Sequence, residues 1–518
     1  RQIAQAAALV MALFVLSRLL GLAREIIIGH QFGTSAELDA YLAAFRLPDI
    51  LFQLVAGGAL GSAFIPTFAG LLARERRGEA WRLASAVINL VMLIVAGLSL
   101  LAGLVAPFLV DRIIAPGFDP AQKALTVELM RLMLISPVVF GVSGILMGIL
   151  NSHQHFLLPA LAPAAYNLAI IAGAAILAPT MGVRGLAVGV VAGSLLHLFV
   201  QLPGLRRRDG FYALRLGLED PDVREVGRLM LPRTIGLAAV QLNFLVNTIL
   251  ASRLPEGSLS ALNYAWLIML LPQGIFAQAV ATAAFPTFSA LVARGQMEAF
   301  RSTVSSTLRA ILFLSIPASV GLIMLRRPLV QVLLERGAFD AQSTEWVALA
   351  LAFYALGLAG HSAVEILSRA FYSLHDTRRP VAIGLSAMGL NVVLSLILGR
   401  PAEAGGMAHA GLALANSIAT LLEMAVLLFV LGRRAGGLPW WDLGRSTARI
   451  VAASAAMALV LWSFLYYLGG AGAWISAIGG ILVGGGIFLL AGIVLRAPEP
   501  AAVAAMIRRR RPPADLST

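Results

Sequence analysis

The sequence predicts an all-α integral membrane protein of about fourteen transmembrane helices: two six-helix lobes as a parallel repeat, plus two C-terminal helices. Three observations predict it: the composition, the spacing of long apolar runs, and a duplication inside the chain. Hydrophobic residues fill 59% of the 518 positions and charged residues only 13%, with a mean hydropathy of +0.86. Soluble domains carry about 25% charged residues, so a surface this apolar needs a bilayer to cover it. The formal charge of +13 does not indicate nucleic acid, because the basic residues sit in short loops between apolar runs. With no cysteine, disulfides, zinc sites and thiol chemistry are excluded. The first apolar run lacks a small-residue cleavage site and reads as a retained helix.

A spanning helix needs about 20 largely apolar residues. On that scale the N-lobe, 1–215, holds spans near 3–30, 37–71, 80–110, 123–150, 157–180 and 184–204. The C-lobe, 216–435, holds spans near 224–252, 258–292, 300–325, 343–373, 380–399 and 407–432. Spans near 446–468 and 474–496, with a basic tail, make up 436–518. Loops after even-numbered helices carry Arg74, Arg76, Arg77 and Arg82, then Arg206 to Arg208, Arg294 and Arg301, Arg378 and Arg379, Arg433 and Arg434. The tail adds Arg508 to Arg511. By the positive-inside rule both termini are expected to be cytoplasmic.

The duplication is legible at the ends of the second and eighth spans. Ala63-Phe64-Ile65-Pro66-Thr67-Phe68 leads to Arg74, and Ala284-Phe285-Pro286-Thr287-Phe288 leads to Arg294. Each is followed by a patch of one pattern, Glu79-Ala80-Trp81-Arg82 and Glu298-Ala299-Phe300-Arg301. Gly117-Phe118-Asp119 and Ala338-Phe339-Asp340 echo each other at a similar offset. A unit with an even number of helices crosses in the same sense in both copies, the parallel repeat of two-lobed transporters.

Ionisable residues inside a membrane are expensive and face a bundle interior or a cavity. The first span carries Ser17, Arg18, Arg24 and Glu25, and the second Asp39, Arg46, Asp49 and Gln53. At 100° per residue, Asp39, Arg46 and Gln53 fall within about 40° of one another, so one face of that helix is polar and should line a cavity. Arg24 and Arg46 reach similar depths, roughly 10 Å outward of the midplane, with Arg18 below them. Such a cationic ladder suits a phosphate group, which arginine holds with two parallel bonds. Internal pairing, Arg18 with Glu25 and Arg46 with Asp39 or Asp49, is the competing reading of the same residues. In the second lobe Arg233, Asn247, His361 and Glu365 are the candidates. His361 and Glu365 have a two-ligand spacing that more often marks an interior hydrogen-bonded pair than a metal site. Asn247 and Asn391 could offer oxygens to a coupling cation or join helices. Gly144, Gly148, Gly479, Gly480 and Gly484 to Gly486 read as close-packing positions. No phosphate-binding loop of a nucleotide hydrolase occurs, nor a carboxylate-rich Mg²⁺ motif, so an enzyme acting on prenyl phosphates is disfavoured.

Specific motifs carry a family resemblance. Ser17-Arg18-Leu19-Leu20-Gly21-Leu22-Ala23-Arg24-Glu25, Phe32-Gly33, Asp39-Ala40 and Phe45-Arg46-Leu47-Pro48-Asp49 resemble the start of the MurJ/MviN family. Ala115-Pro116-Gly117-Phe118, Leu150-Asn151-Ser152, Leu254-Pro255-Glu256-Gly257-Ser258 and Asn263-Tyr264-Ala265 extend it to about the twelfth span. The resemblance implies a lipid II flippase of the multidrug/oligosaccharidyl-lipid/polysaccharide exporter superfamily, working in peptidoglycan synthesis in the bacterial cytoplasmic membrane. It implies an inward- to outward-facing cycle between two lobes, a groove on the last two helices for the polyprenyl tail, and cavity-facing arginines at Arg18 and Arg24. Asp39 also matches a family position. The chain departs from the family at Phe52, Gln53 and Gly57, and at Trp266 and Leu267, where the family shows Asp-Arg. The expected function is transport, not catalysis: a monomer carrying lipid II or another polyprenyl-diphosphate lipid, surrounded by membrane lipids. No metal or cofactor is expected beyond a coupling cation or the membrane potential. The alternatives are an exporter of another lipid-linked glycan or drug, and a transport-inactive cell-wall scaffold.

Overall fold

The computed structural model describes residues 2–55, 63–206, 210–401 and 405–495, without the side chains at 2–9, 55, 231–233, 235, 236, 239 and 240. Gly57, Arg207, Arg208 and the tail arginines Arg508 to Arg511 lie outside the described residues, as does the side chain of Arg233. Every regular element described is helical. Among the described residues eleven helices are long and apolar enough to cross a membrane. The helices Gln2–Phe32, Ala36–Val55 and Pro221–Ala251 fall outside that set, so fourteen crossings remain the expectation from the sequence.

The chain forms two compact units, Arg1–Ser260 with Arg336–Asp340, and Ala261–Glu335 with Ala341–Thr518. The first contains α1 (Gln2–Phe32), α2 (Ala36–Val55), α3 (Ile65–Ala73), α4 (Arg77–Leu104), α5 (Pro120–Met133), α6 (Ile135–Ser152), α7 (Leu157–Ala172), α8 (Val183–Phe199) and α9 (Pro221–Ala251). Then follow α10 (Ser258–Ala293), α11 (Met297–Leu334), α12 (Ala341–Ser373), α13 (Arg378–Leu398), α14 (Ala408–Arg434), α15 (Trp440–Leu468) and α16 (Gly480–Val494). Local signals set the starts. Asp119 accepts from the N–H of Gln122 and Asp220 from that of Asp222, each followed by proline at the first helical position, where a missing N–H costs nothing.

The duplicated motif packs alike in the two units. In the first, Phe68 meets Trp81 edge-on with ring centroids 6.1 Å apart; in the second, Phe288 meets Phe300 edge-on at 5.9 Å. Phe64, Leu83, Val87, Ile145 and Ile149 complete the first core, and Leu308, Ile366, Phe371 and Leu427 the second. Gly148 admits the Phe64 ring, while Gly479, Gly480 and Gly484 admit Phe464, Leu325 and Leu461. A Cβ at Gly485 or Gly486 would meet nothing within 4 Å among the described residues, so close packing is not seen there.

The duplication places a boundary near 215, whereas the compact units divide after Ser260. The difference has named causes. Arg46 on α2 donates to Thr248 on α9, Asn89 on α4 holds residues 213 and 215, and the N–H of Gly117 reaches Ser252 Oγ. Residues 336–340 join the same unit because Ala338 N–H donates to the His30 carbonyl at 2.8 Å. Gly33, at φ +58°, seats directly on the Ala338 carbonyl, a conformation and a closeness that a side chain would not allow. At Gly117 a Cβ would lie 2.6 Å from Arg253 Cα. Gly117→Ala should therefore lower stability by about 1–3 kcal/mol, read as a drop in the melting temperature of the purified protein. An unchanged melting temperature would show that the two loops separate freely.

Candidate functional site

The polar residues predicted on α1 and α2 do converge in the first unit, but each is engaged differently. Arg24 pairs with its neighbour Glu25, Nη2 to Oε1 at 2.6 Å and Nε to Oε1 at 3.1 Å. Its Nη1 donates to Asn167 Oδ1 on α7 at 3.1 Å. Asn167 in turn donates to the Ser17 carbonyl at 3.2 Å, so one amide clamps two levels of α1 and aims the guanidinium. Two of the five N–H donors of an arginine remain uncommitted at Arg24 among the described residues. Arg24 lines a cavity of about 330 Å³ together with the polar Asp49, Ser136, Tyr166 and His197 and the apolar Phe45, Phe52 and Phe140. That volume lies at the lower end of small-ligand cavities, roughly 300–1,000 Å³.

A second layer holds His197 in place. Gln201 Nε2 donates to Ser143 Oγ at 2.7 Å and to the His197 carbonyl at 2.9 Å, and Ser143 Oγ lies 2.7 Å from His197 Nδ1. With Gln201 donating to it, Ser143 can give its own proton to Nδ1, which leaves the other ring nitrogen of His197 as a donor.

The remaining first-unit candidates divide by partner. Arg46 donates to Thr248 at 3.1 Å, and its guanidinium lies 5.7 Å from the Phe244 ring centroid, so it ties α2 to α9. Arg18 is exposed beside Phe14, 5.3 Å from that ring. The pairing of Arg18 with Glu25 is replaced by Arg24 with Glu25. Ser17 contributes its carbonyl to Asn167. Gln53 is half-buried on α2.

Asp39 corrects the reading of the polar stripe as one cavity wall. It is only 2% exposed, and its oxygens accept from the backbone N–H of Gly257 at 2.8 Å and of Ser260 at 2.7 Å. Helix starts carry N–H groups without intrahelical acceptors, and a carboxylate there also meets the positive end of the helix dipole. Asp39, in the first turn of α2, thus caps α10 from outside it.

In the second unit His361 Nε2 lies 3.1 Å from Asn416 Oδ1, while Glu365 pairs with Arg369 at 2.9 Å. The two side chains thus take separate partners rather than pairing with each other. Asn391 is buried on α13 with Ser395 nearby. Asn247 has a buried Oδ1 next to Thr248. Trp266 packs edge-on against Tyr354 and His361, centroids 5.2 and 5.4 Å away, so an aromatic cluster forms around the position of the expected acidic residue, and Leu267 stands at that of the expected arginine. The sequence reading missed Asn167, Tyr166 and His197. Their signal was present as hydrogen-bonding side chains inside apolar spans, which membrane helices carry only where a partner awaits.

Comparisons with known proteins agree with this architecture. Residues 28–479 match the family described as lipid II flippase MurJ. A probable lipid II flippase MurJ of Rhizobium tropici is 33% identical over 454 residues, 86% of this chain and 84% of the relative. The lipid II flippase MurJ of Burkholderia cenocepacia is 33% identical over 444 residues, 82% of this chain and 84% of that protein. A solved structure of lipid II flippase MurJ in an inward closed conformation is 27% identical, with a TM-score of 0.79, covering 94% of this chain and 99% of its own. An inward-facing multidrug transporter of the MATE family within the MOP superfamily, at 16% identity and a TM-score of 0.68 over 83% of this chain and 98% of its own, shares the fold.

Proposed function

The chain belongs to the MurJ family of lipid II flippases, and from that premise we propose that it moves lipid II from the cytoplasmic to the outer leaflet of the bacterial inner membrane by alternating access. It is a transporter and not an enzyme, and it serves peptidoglycan synthesis. It works as a monomer without a bound cofactor, driven by a coupling cation or the membrane potential. Both termini are cytoplasmic.

One observation carries the assignment of the head-group site: the Arg24 guanidinium, held by Glu25 and Asn167, lines a small mixed cavity. A diphosphate crossing a low-dielectric region loses its water and needs fixed cations in place of it. The cavity's volume suits the diphosphate and its nearest waters rather than a whole glycopeptide.

The test is replacement. Cells depleted of their native flippase should grow when this chain is expressed. Lysis despite folded, inserted protein would remove lipid II as the cargo and favour another lipid-linked glycan. Topology is checked separately, with reporters fused near residues 207 and 433 expected in the cytoplasm and one near Glu256 outside it, because arginine is concentrated after even-numbered spans. A reversed pattern would mean that the helix count is off by an odd number.

A further inference from the structure

The connector between the two repeats has an unusual surface. From Phe211 to Leu218 it runs without helix or strand along the side of α4. Phe211 is 46% exposed, and from Tyr212 onward exposure alternates: Tyr212 59%, Leu214 87%, Leu216 41% and Leu218 59% are exposed, Tyr212 with its hydroxyl turned back to α4, while Ala213, Arg215 and Gly217 are half-buried between them. A strand on a water-facing surface alternates the other way, with large apolar residues inward. Here the outward row is wholly apolar or aromatic.

The backbone of the connector is clamped by side chains of α4. Asn89 Nδ2 donates to the carbonyls of Ala213 and Arg215 at 3.0 and 2.9 Å, and Asn89 Oδ1 accepts from Tyr212 Oη at 2.5 Å. Ser85 Oγ accepts from the N–H of Ala213 at 3.1 Å. Gly210 lies flat on the Trp81 indole. Gly217, at φ +59°, turns the chain away with Ala86 Cβ beneath it. Irregular backbone is tolerated near hydrocarbon only where its polar groups find protein partners. Ser85 and Asn89 supply them two to three turns into a membrane-crossing helix. Arg76, Arg77 and Arg82 at the start of α4, with Arg206 and Arg224 flanking the connector, are exposed. They place this end of α4 at a headgroup layer, where leucines and tyrosines partition into the acyl boundary and arginines meet lipid phosphates.

We propose that residues 211–218 form a lipid-contacting strap, with Tyr212, Leu214, Leu216 and Leu218 immersed in the headgroup–acyl boundary and Asn89 clamping the strap to α4. The bilayer itself is the occupant of this surface. The strap fixes the connector between the repeats to the first unit, in keeping with the packing of α9 there.

The chain has no cysteine, so single-site labelling is clean. Leu214→Cys carrying a polarity-sensitive fluorophore is compared in lipid nanodiscs with Glu75→Cys, an exposed residue of the turn before α4. The label at 214 should emit to the blue of the control and be quenched about twofold more strongly by spin-labelled lipid, and less by iodide. Equal emission with iodide quenching would overturn the strap. Shielding from both quenchers would mean that a protein partner or a second copy covers the surface, and would overturn it as well. Adding Asn89→Ala should move the label at 214 toward the behaviour of the control; an unchanged label would remove the clamp from the proposal.

Discussion

Arg24→Ala is expected to abolish lipid II translocation, by about a hundredfold or more, in a protein that still folds and inserts. The magnitude follows from the two free donors: charge-assisted bonds of about 1.5 kcal/mol each sum to about a hundredfold in an equilibrium or rate. Arg24→Lys should recover only part of it, since an ammonium cannot reproduce the planar fork that Asn167 and Glu25 orient. The bond to Glu25 offers the competing account, in which Arg24 only neutralises a buried carboxylate. That account predicts that Arg24→Ala with Glu25→Ala regains activity, whereas diphosphate binding predicts that the pair stays inactive. Translocation of fluorescent lipid II in proteoliposomes, with size-exclusion profiles to verify folding, separates the two. Full activity in Arg24→Ala would remove this arginine from the mechanism. Asn167→Ala should fall between the two, because it loosens the aim of the guanidinium without removing the charge.

The second large effect is expected at Asp39, and it is on stability. Asp39→Ala strips acceptors from two backbone N–H groups, each costing about 1–3 kcal/mol when left buried and unpaired. The variant should accumulate poorly and melt well below the parent. Asp39→Asn keeps one acceptor oxygen and should fall between. The alternative, a carboxylate contacting the cargo, predicts normal melting with lost transport. A melting temperature for Asp39→Ala equal to that of the parent would therefore overturn the capping role, and thermal unfolding in detergent measures it directly.

Asp39 also shows where sequence reasoning stops. Its helical register with Arg46 and Gln53 follows from a 100° step per residue. Register says which residues share a face, but not what that face meets. Arg46 meets α9, Asp39 meets the start of α10, and Asp49 lines the cavity. The aromatic pairs Phe68–Trp81 and Phe288–Phe300 show the opposite case, because a motif repeated in order along the chain packs with the same edge-on geometry in both units.

The sequence by itself determined the membrane-spanning all-helical class, the duplication and the family. These rest on hydrophobicity, periodicity and motif order, which are properties of neighbouring residues. Only the tertiary structure decided that Arg24 belongs to Glu25 and Asn167, that the first unit takes in α9, and that Trp266 stands among Tyr354 and His361. Asn167 lies 143 positions from Arg24, and Gly257 218 from Asp39. A buried polar group in a membrane must find a partner, but composition and spacing state only that need, and the packing of distant helices selects which group meets it.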